Sequence, residues 1–180
     1  MMRRVLFICV FLTLMAAIAF AQGEGEAASL SVPEGYNTVT GKGITIQWKV
    51  EDQNLRVRMA AATTGWIAVG FDPSNRMKDA DIIIGYVQDG EVFLRDDFGV
   101  SGTAHKADEE LGGSSDISDA EGREENGQTL LSFTIPLDSR DRYDRALEAG
   151  KSYKVILAVG GKDGFGGYHS TKRTSVTLEP

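Results

Sequence analysis

The chain has 180 residues, 42% hydrophobic and 25% charged, with 21 glycines, 4 prolines and one cysteine. That bounds it to one domain with or without a processed leader, and the hydrophobic share is too high for a wholly disordered chain. A formal charge of −7 argues against nucleic acid, whose backbone needs clustered Lys and Arg. A lone cysteine excludes an internal disulfide, a four-cysteine metal site and C-x-x-C-H haem attachment.

Residues 1–21 read as a secretory signal peptide. Arg3 and Arg4 precede an apolar run from Val5 to Phe20, and Ala19-Phe20-Ala21 supplies the small-x-small cleavage pattern. The run is shorter than the ~20 apolar residues of a spanning helix, so contact with the membrane is expected only in transit. Cleavage takes the 19 basic side chains to 17 against 26 acidic ones, a charge of −9, and removes Cys9. The expected location is therefore extracytoplasmic, periplasmic or secreted. Any metal there is held by His, Met, Tyr, Lys or carboxylates. Residues 22–30 read as a flexible, acidic lead-in, and residues 31–180 as one domain.

Strand patterns dominate that domain. Ile44–Val50 and Leu55–Ala61 alternate apolar and polar residues, as half-buried strands do. Gly65–Phe71 and Asp81–Val87 are more uniformly apolar, as for strands covered on both faces. Gln88-Asp89-Gly90 predicts a tight turn into Glu91–Phe98. Thr129–Ile135, Tyr153–Val159 and Ser175–Leu178 complete eight strands. Ser139–Ala149 reads as the one short helix, stopped by Gly150. The pattern predicts an all-β fold, an antiparallel β-sandwich. The polar stretch Gly99–Gly127 is long for a structureless loop; it is either functional or contains pairing that the pattern does not reveal.

Residues for conventional catalysis are scarce. No G-x-S-x-G elbow, H-E-x-x-H motif or Walker loop occurs. The glycine cluster Gly160–Gly167 reads as a hairpin connection rather than a phosphate loop, since no helix pattern follows it. The acidic run Asp108–Glu121 lacks EF-hand spacing and reads as solvated, and His105 within the polar stretch reads as a solvated loop side chain. Two residues stand out. Met77 sits among Asn75, Arg76, Lys78 and Asp79, poor company for plain packing, and a thioether is a soft ligand suited to haem iron. His169 precedes the closing strand. If both loops lie at the same end of a sandwich, Met77 and His169 can clasp a metal macrocycle.

Gly65-Trp66-Ile67-Ala68-Val69-Gly70-Phe71, Met77, Ala80-Asp81 and Ile84-Gly85-Tyr86-Val87 together resemble the DOMON domain. The similarity is to its haem-binding branch, typified by the cytochrome domain of cellobiose dehydrogenase, and runs from about Ser31 to Leu178. The resemblance implies an immunoglobulin-like β-sandwich holding one non-covalent haem b, with Met77 and His169 as axial ligands. It implies single-electron transfer with a separate partner, a dehydrogenase or a membrane cytochrome, rather than a stand-alone enzyme. Trp66, Phe71, Phe98, Phe165 and Tyr168 are candidates to pack the porphyrin, Phe71 and Trp66 equally candidates for sheet core. Arg173, with Arg76, Lys78 and Lys172, is a candidate partner for the propionates. Lys172 is also an alternative ligand to His169. The competing function is a haem-free DOMON module binding carbohydrate or another small ligand, with Trp48, Trp66 and Tyr36 as stacking candidates; haem sensing or transfer is a third.

Overall fold

The computed structural model describes residues 30–169 and 172–180. The expected signal peptide and nearly all of the expected lead-in lie outside the described residues. Eleven strands and one short helix follow in chain order: β1 Asn37–Gly41, β2 Ile44–Glu51, β3 Asn54–Ala61, β4 Ile67–Phe71, β5 Asp81–Gln88, β6 Glu91–Ser101, β7 Ala104–Ala107, α1 Asp108–Leu111, β8 Ser118–Glu125, β9 Gln128–Pro136, β10 Tyr153–Val159 and β11 Arg173–Leu178. They form two antiparallel sheets, β1-β2-β3-β9-β8 and β11-β10-β4-β5-β6-β7.

Alternation along each strand sends one set of side chains between the sheets. Ile44, Ile46 and Trp48 of β2, Leu55, Val57 and Met59 of β3, and Leu131, Phe133 and Ile135 of β9 meet Ile67, Val69 and Phe71 of β4 and Val155, Leu157 and Val159 of β10. This period-two burial is the sandwich expected from the sequence. The turn after β5 also forms as expected, with positive φ at Asp89 (53°) and Gly90 (82°) and Gln88 paired with Glu91.

Two expectations are corrected. Ser139–Ala149 is not helical. Its short polar side chains take the backbone amides that a helix would use: Arg140 N donates to Asp138 Oδ1 (3.0 Å), Asp141 N to Ser139 Oγ (3.0 Å) and Tyr143 N to Asp141 Oδ1 (2.9 Å). Such local bonds compete with helix formation, and Arg140 adopts a φ of 64°. Among the described residues the one helix is α1, closed by Gly112 at φ 86°. Gly99–Gly127 holds the pairing its pattern left open, containing the end of β6, β7, α1 and β8, and this brings the second correction. His105 is accordingly a strand residue rather than a solvated loop side chain.

Candidate functional site

Strand β4 organises both candidate loops. Phe71 lies opposite Asp81 of β5 and Val155 of β10, while Ile67 lies opposite Gly85 and Val159. The β4–β5 loop with Met77 therefore leaves one end of β4. The β10–β11 connection with His169 leaves the other. Four strand steps of ~3.3 Å separate those ends by ~13 Å. The premise that both loops share one end of the sandwich is thus corrected: antiparallel pairing of β10 with β4 forbids it.

The Met77 loop is tightly built. Ser74 N donates to Lys78 O (2.9 Å), Lys78 N to Asn75 O (2.9 Å), and Asp79 N to Gly99 O (2.7 Å). Asp72, Arg76 and Asp79 take positive φ. Met77 itself is half-buried. At the other end, Trp66 N donates to Lys162 O (3.2 Å), Gly160 N to Trp66 O (2.8 Å) and Thr63 Oγ1 to Gly160 O (2.6 Å). These bonds dock the start of the β10–β11 connection against β4.

That connection lies along the outer face of the six-stranded sheet. Trp66, Ala68 and Ile84 form a second apolar cluster there, packed with Tyr86, Ala158 and Phe165. The Phe165 ring meets Tyr86 edge-on, centroids 5.1 Å apart, and the Arg95 guanidinium lies 4.7 Å from its centroid. Arg95 donates Nε to Asp97 Oδ1 (2.5 Å) and Nη2 to Asp97 Oδ2 (2.7 Å), and His105 Nδ1 bonds the same carboxylate. Burial alone would raise the Asp97 pKa; the His105 and Arg95 hydrogen bonds outweigh it and hold the carboxyl below its usual range. Arg173 Nη1 donates to His169 Nε2 (3.2 Å). Because a guanidinium only donates, that bond leaves the ring proton on Nδ1.

The sequence-derived candidates therefore fall into three places. Trp66, Phe165, His169 and Arg173 gather around the β10–β11 connection, as does Tyr168, whose side chain is 97% exposed. Phe71 is wholly buried between the sheets, so of its two expected roles it takes the core one. Met77 and Phe98 belong to the opposite end, where the Phe98 ring leans on Tyr143 with centroids 5.3 Å apart. Lys172 donates Nζ to Ala62 O (3.4 Å). Of the proposed stacking residues, Trp48 and Trp66 are each 6% exposed, and Trp48 Nε1 donates to Glu179 O (2.8 Å). Neither presents a ring face to a sugar. Shallow clefts of about 200 and 330 Å3 lie elsewhere, on the five-stranded sheet beside Leu30, Arg58, Arg123 and Leu130, and hold none of these candidates.

Sequence reading missed one group, at the Met77 end. Asp81 of β5, Asp96 of β6, Asp108 of α1 and Asp144 of the β9–β10 segment converge between the sheets, the first three at most 4% exposed. Burial, then the neighbouring carboxylates Asp96 and Asp144, raise the pKa of Asp81. Burial first, with Asp144 among the neighbouring charges, raises Asp96 to about 7. Burial and the charges of Asp96 and Asp144 raise Asp108 to about 8, and burial raises Asp144 to about 6. Folded carboxyls titrating above their unfolded values bind extra protons in the native state. Their stabilising contribution is complete below the unfolded pKa of about 3.9 and is lost as pH rises through the folded values. In chelator, the melting temperature should accordingly fall between about pH 5 and pH 8; a melting curve series that rises across this window would contradict the cluster.

A model of the DOMON domain matches residues 40–160. The chain belongs to the DOMON family. Among curated proteins, this DOMON chain is 28% identical over 134 residues to DBH-like monooxygenase protein 1 of Homo sapiens, covering 73% of the chain and 21% of that protein. It is 29% identical over 138 residues to the Mus musculus protein of that name, covering 74% and 21%. The chain thus spans only about a fifth of the length of these relatives. Among solved structures, it is similar to the cytochrome b domain of pyranose dehydrogenase from Coprinopsis cinerea, with TM-score 0.58, 10% identity, and 79% and 80% of the two chains covered. The cytochrome domain of Myriococcum thermophilum cellobiose dehydrogenase aligns with TM-score 0.55, 9% identity, and 82% and 89% covered. At these identities the likeness is one of fold.

Proposed function

We propose that this DOMON domain is an extracytoplasmic b-type cytochrome module that binds one non-covalent haem and exchanges single electrons with a separate redox protein. The observation that carries the reading is the apolar outer face of β4, β5 and β10, with the His169 connection at one end and the Met77 loop at the other. The donor set fits the group. A thioether and an imidazole, both half-buried, are donors that would hold a haem iron, and the loops that carry them flank the outer face from the two ends of β4. Small side chains, Ala68 and Ala158, floor the face between them.

Held by Met77 and His169, a haem b would supply one-electron transfer. The remaining tasks belong to the chain. Trp66, Ile84 and Phe165 exclude water from the face, and Arg95, fixed by Asp97, clamps Phe165 over it. Arg173 must release His169 Nε2 for that nitrogen to act as a ligand, after which its guanidinium is free for a propionate. The sandwich holds both ends of β4 in place through its pairing with β5 and β10. The relatives named as monooxygenases are of greater length; among the described residues no Ser, Thr or Cys side chain is hydrogen-bonded to a histidine, and in this reading electrons pass to or from a partner. Its acidic surface favours a partner with a basic docking face.

Hemin titration of the purified protein is the test. The wild type should take up one equivalent with a sharp low-spin Soret band that shifts on dithionite reduction. Met77→Ala and His169→Ala should each convert the iron to a high-spin or ligand-exchanging form. A protein that takes up no hemin would end the proposal; a low-spin spectrum retained in His169→Ala would transfer the ligand role to Lys172 or His105.

A further inference from the structure

The aspartate cluster at the Met77 end is organised for a ligand of its own. One carboxylate oxygen from each of Asp81, Asp96 and Asp144 lies within 4.8 Å of the others. Asp108 stands outside that group of three but beside it, its carboxyl facing those of Asp96 and Asp144 and close enough to Asp144 to share a proton. Acidic clusters alone are common; the decisive feature here is what the oxygens lack. Asp81 Oδ1, Asp96 Oδ1, Asp144 Oδ1 and both oxygens of Asp108 are buried with no hydrogen-bond partner. The other oxygens are modestly satisfied: Asp96 Oδ2 accepts from Asp116 N (3.1 Å) and Asp81 Oδ2 from Arg145 N (3.4 Å). Arg145, next in sequence to Asp144, turns its Nε to Asp79 O (2.6 Å). Among the described residues, no Lys or Arg side chain forms an ion pair with these four aspartates.

Leaving one buried charge unpaired costs several kcal/mol in order-of-magnitude terms, and three such groups within 4.8 Å of one another, with Asp108 beside them, call for a cation or for shared protons. The donors are all hard carboxylate oxygens, with no His or Cys among them. Zinc favours nitrogen and sulfur, and magnesium keeps much of its water, whereas calcium accepts six to eight oxygens in an irregular shell. We propose that Asp81, Asp96, Asp108 and Asp144 form a calcium site that staples the β9–β10 segment and α1 to the end of the six-stranded sheet. Two of its ligands come from β5 and β6, which are rigid. The others come from α1 and from the irregular segment around Asp144, whose ordering otherwise rests on turns and on the contacts of Tyr143 and Leu147. None of its four residues is a proposed haem ligand, so calcium binding and hemin uptake are read separately.

Calorimetric titration of the chelator-stripped full chain with calcium chloride, paired with thermal melts, tests this. One calcium should bind per chain and raise the melting temperature, and magnesium at equal concentration should do neither. Asp96→Asn and Asp108→Asn should each weaken calcium binding at least ~10-fold, because carboxylate count sets affinity. In chelator both variants should melt no lower than wild type, since the amide keeps the shape and removes a buried charge; this separates a lost ligand from a failed fold. Absence of binding heat with identical melts in calcium and chelator would overturn the proposal. So would Asn variants that bind as tightly as wild type, or an equal response to magnesium.

Discussion

Gly99→Ala is expected to destabilise the protein by about 3 kcal/mol or more, the upper range for inserting atoms into a packed site. A Cβ at Gly99 would sit 1.6 Å from the Met77 carbonyl oxygen and 2.7 Å from its carbon. Both are backbone atoms, so no side-chain rotation relieves the overlap. The neighbouring bonds, Asp79 N to Gly99 O (2.7 Å) and Gly99 N to Ala80 O (2.8 Å), would stretch as the loop is pushed off β6, at a further ~1 kcal/mol each. Urea unfolding should show the loss, and hydrogen exchange should quicken first at Asp79 and Gly99. Gly102→Ala is the control: its Cβ would meet nothing nearer than 3.5 Å, and stability should hold. The effect reaches function, because the same carbonyl belongs to Met77; folded Gly99→Ala protein should bind hemin with altered ligation.

Phe71→Ala carries the second large effect, about 3–5 kcal/mol, as for a buried Phe truncated in a core. Phe71 is fully buried among Val69, Val155 and Leu157, on the side of β4 turned away from the proposed haem face. Its loss should lower stability and leave hemin uptake per folded molecule unchanged; Phe71→Leu serves if the alanine variant does not fold. Phe165→Ala should behave oppositely. That ring is half-buried over Tyr86 and beneath Arg95, so chemical denaturation should move little while hemin affinity drops. Equal loss of hemin in folded Phe71 variants would mean that the cofactor enters the sandwich interior.

The strands that could be read from the sequence are those that help to build the core. β2, β3, β4, β5, β6, β9, β10 and the end of β11 carry apolar alternation or apolar runs because at least one face of each is covered. Edge strands β1 and β8 do not. β8, Ser118–Glu125, exposes nearly every side chain and is held by backbone pairing to β9, so no hydrophobic period marks it. β7 is four residues long and hides behind the irregular register at Phe98 and Ser101. The mistaken helix at Ser139–Ala149 had helical composition, yet its Asp and Ser side chains capture the local amides first. The Met77 and His169 candidates were visible as residues out of place, and the resemblance added their pairing; their positions relative to β4 depended on strand order, which no local pattern encodes. The aspartate cluster was harder still. Its four members come from β5, β6, α1 and the β9–β10 segment, so no fixed spacing announces it, and Asp108 looked like one more solvated charge in an acidic run.

Nuclear magnetic resonance of isotope-labelled protein with and without one equivalent of ferric hemin tests the central claim most directly, because the paramagnetic iron broadens signals near it. The account predicts broadening at Trp66, Ala68, Ile84, Ala158 and Phe165, with Met77 and His169 affected together and the five-stranded sheet undisturbed. Broadening centred on Arg58, Arg123 and Leu130, or on Met77 without His169, would contradict it.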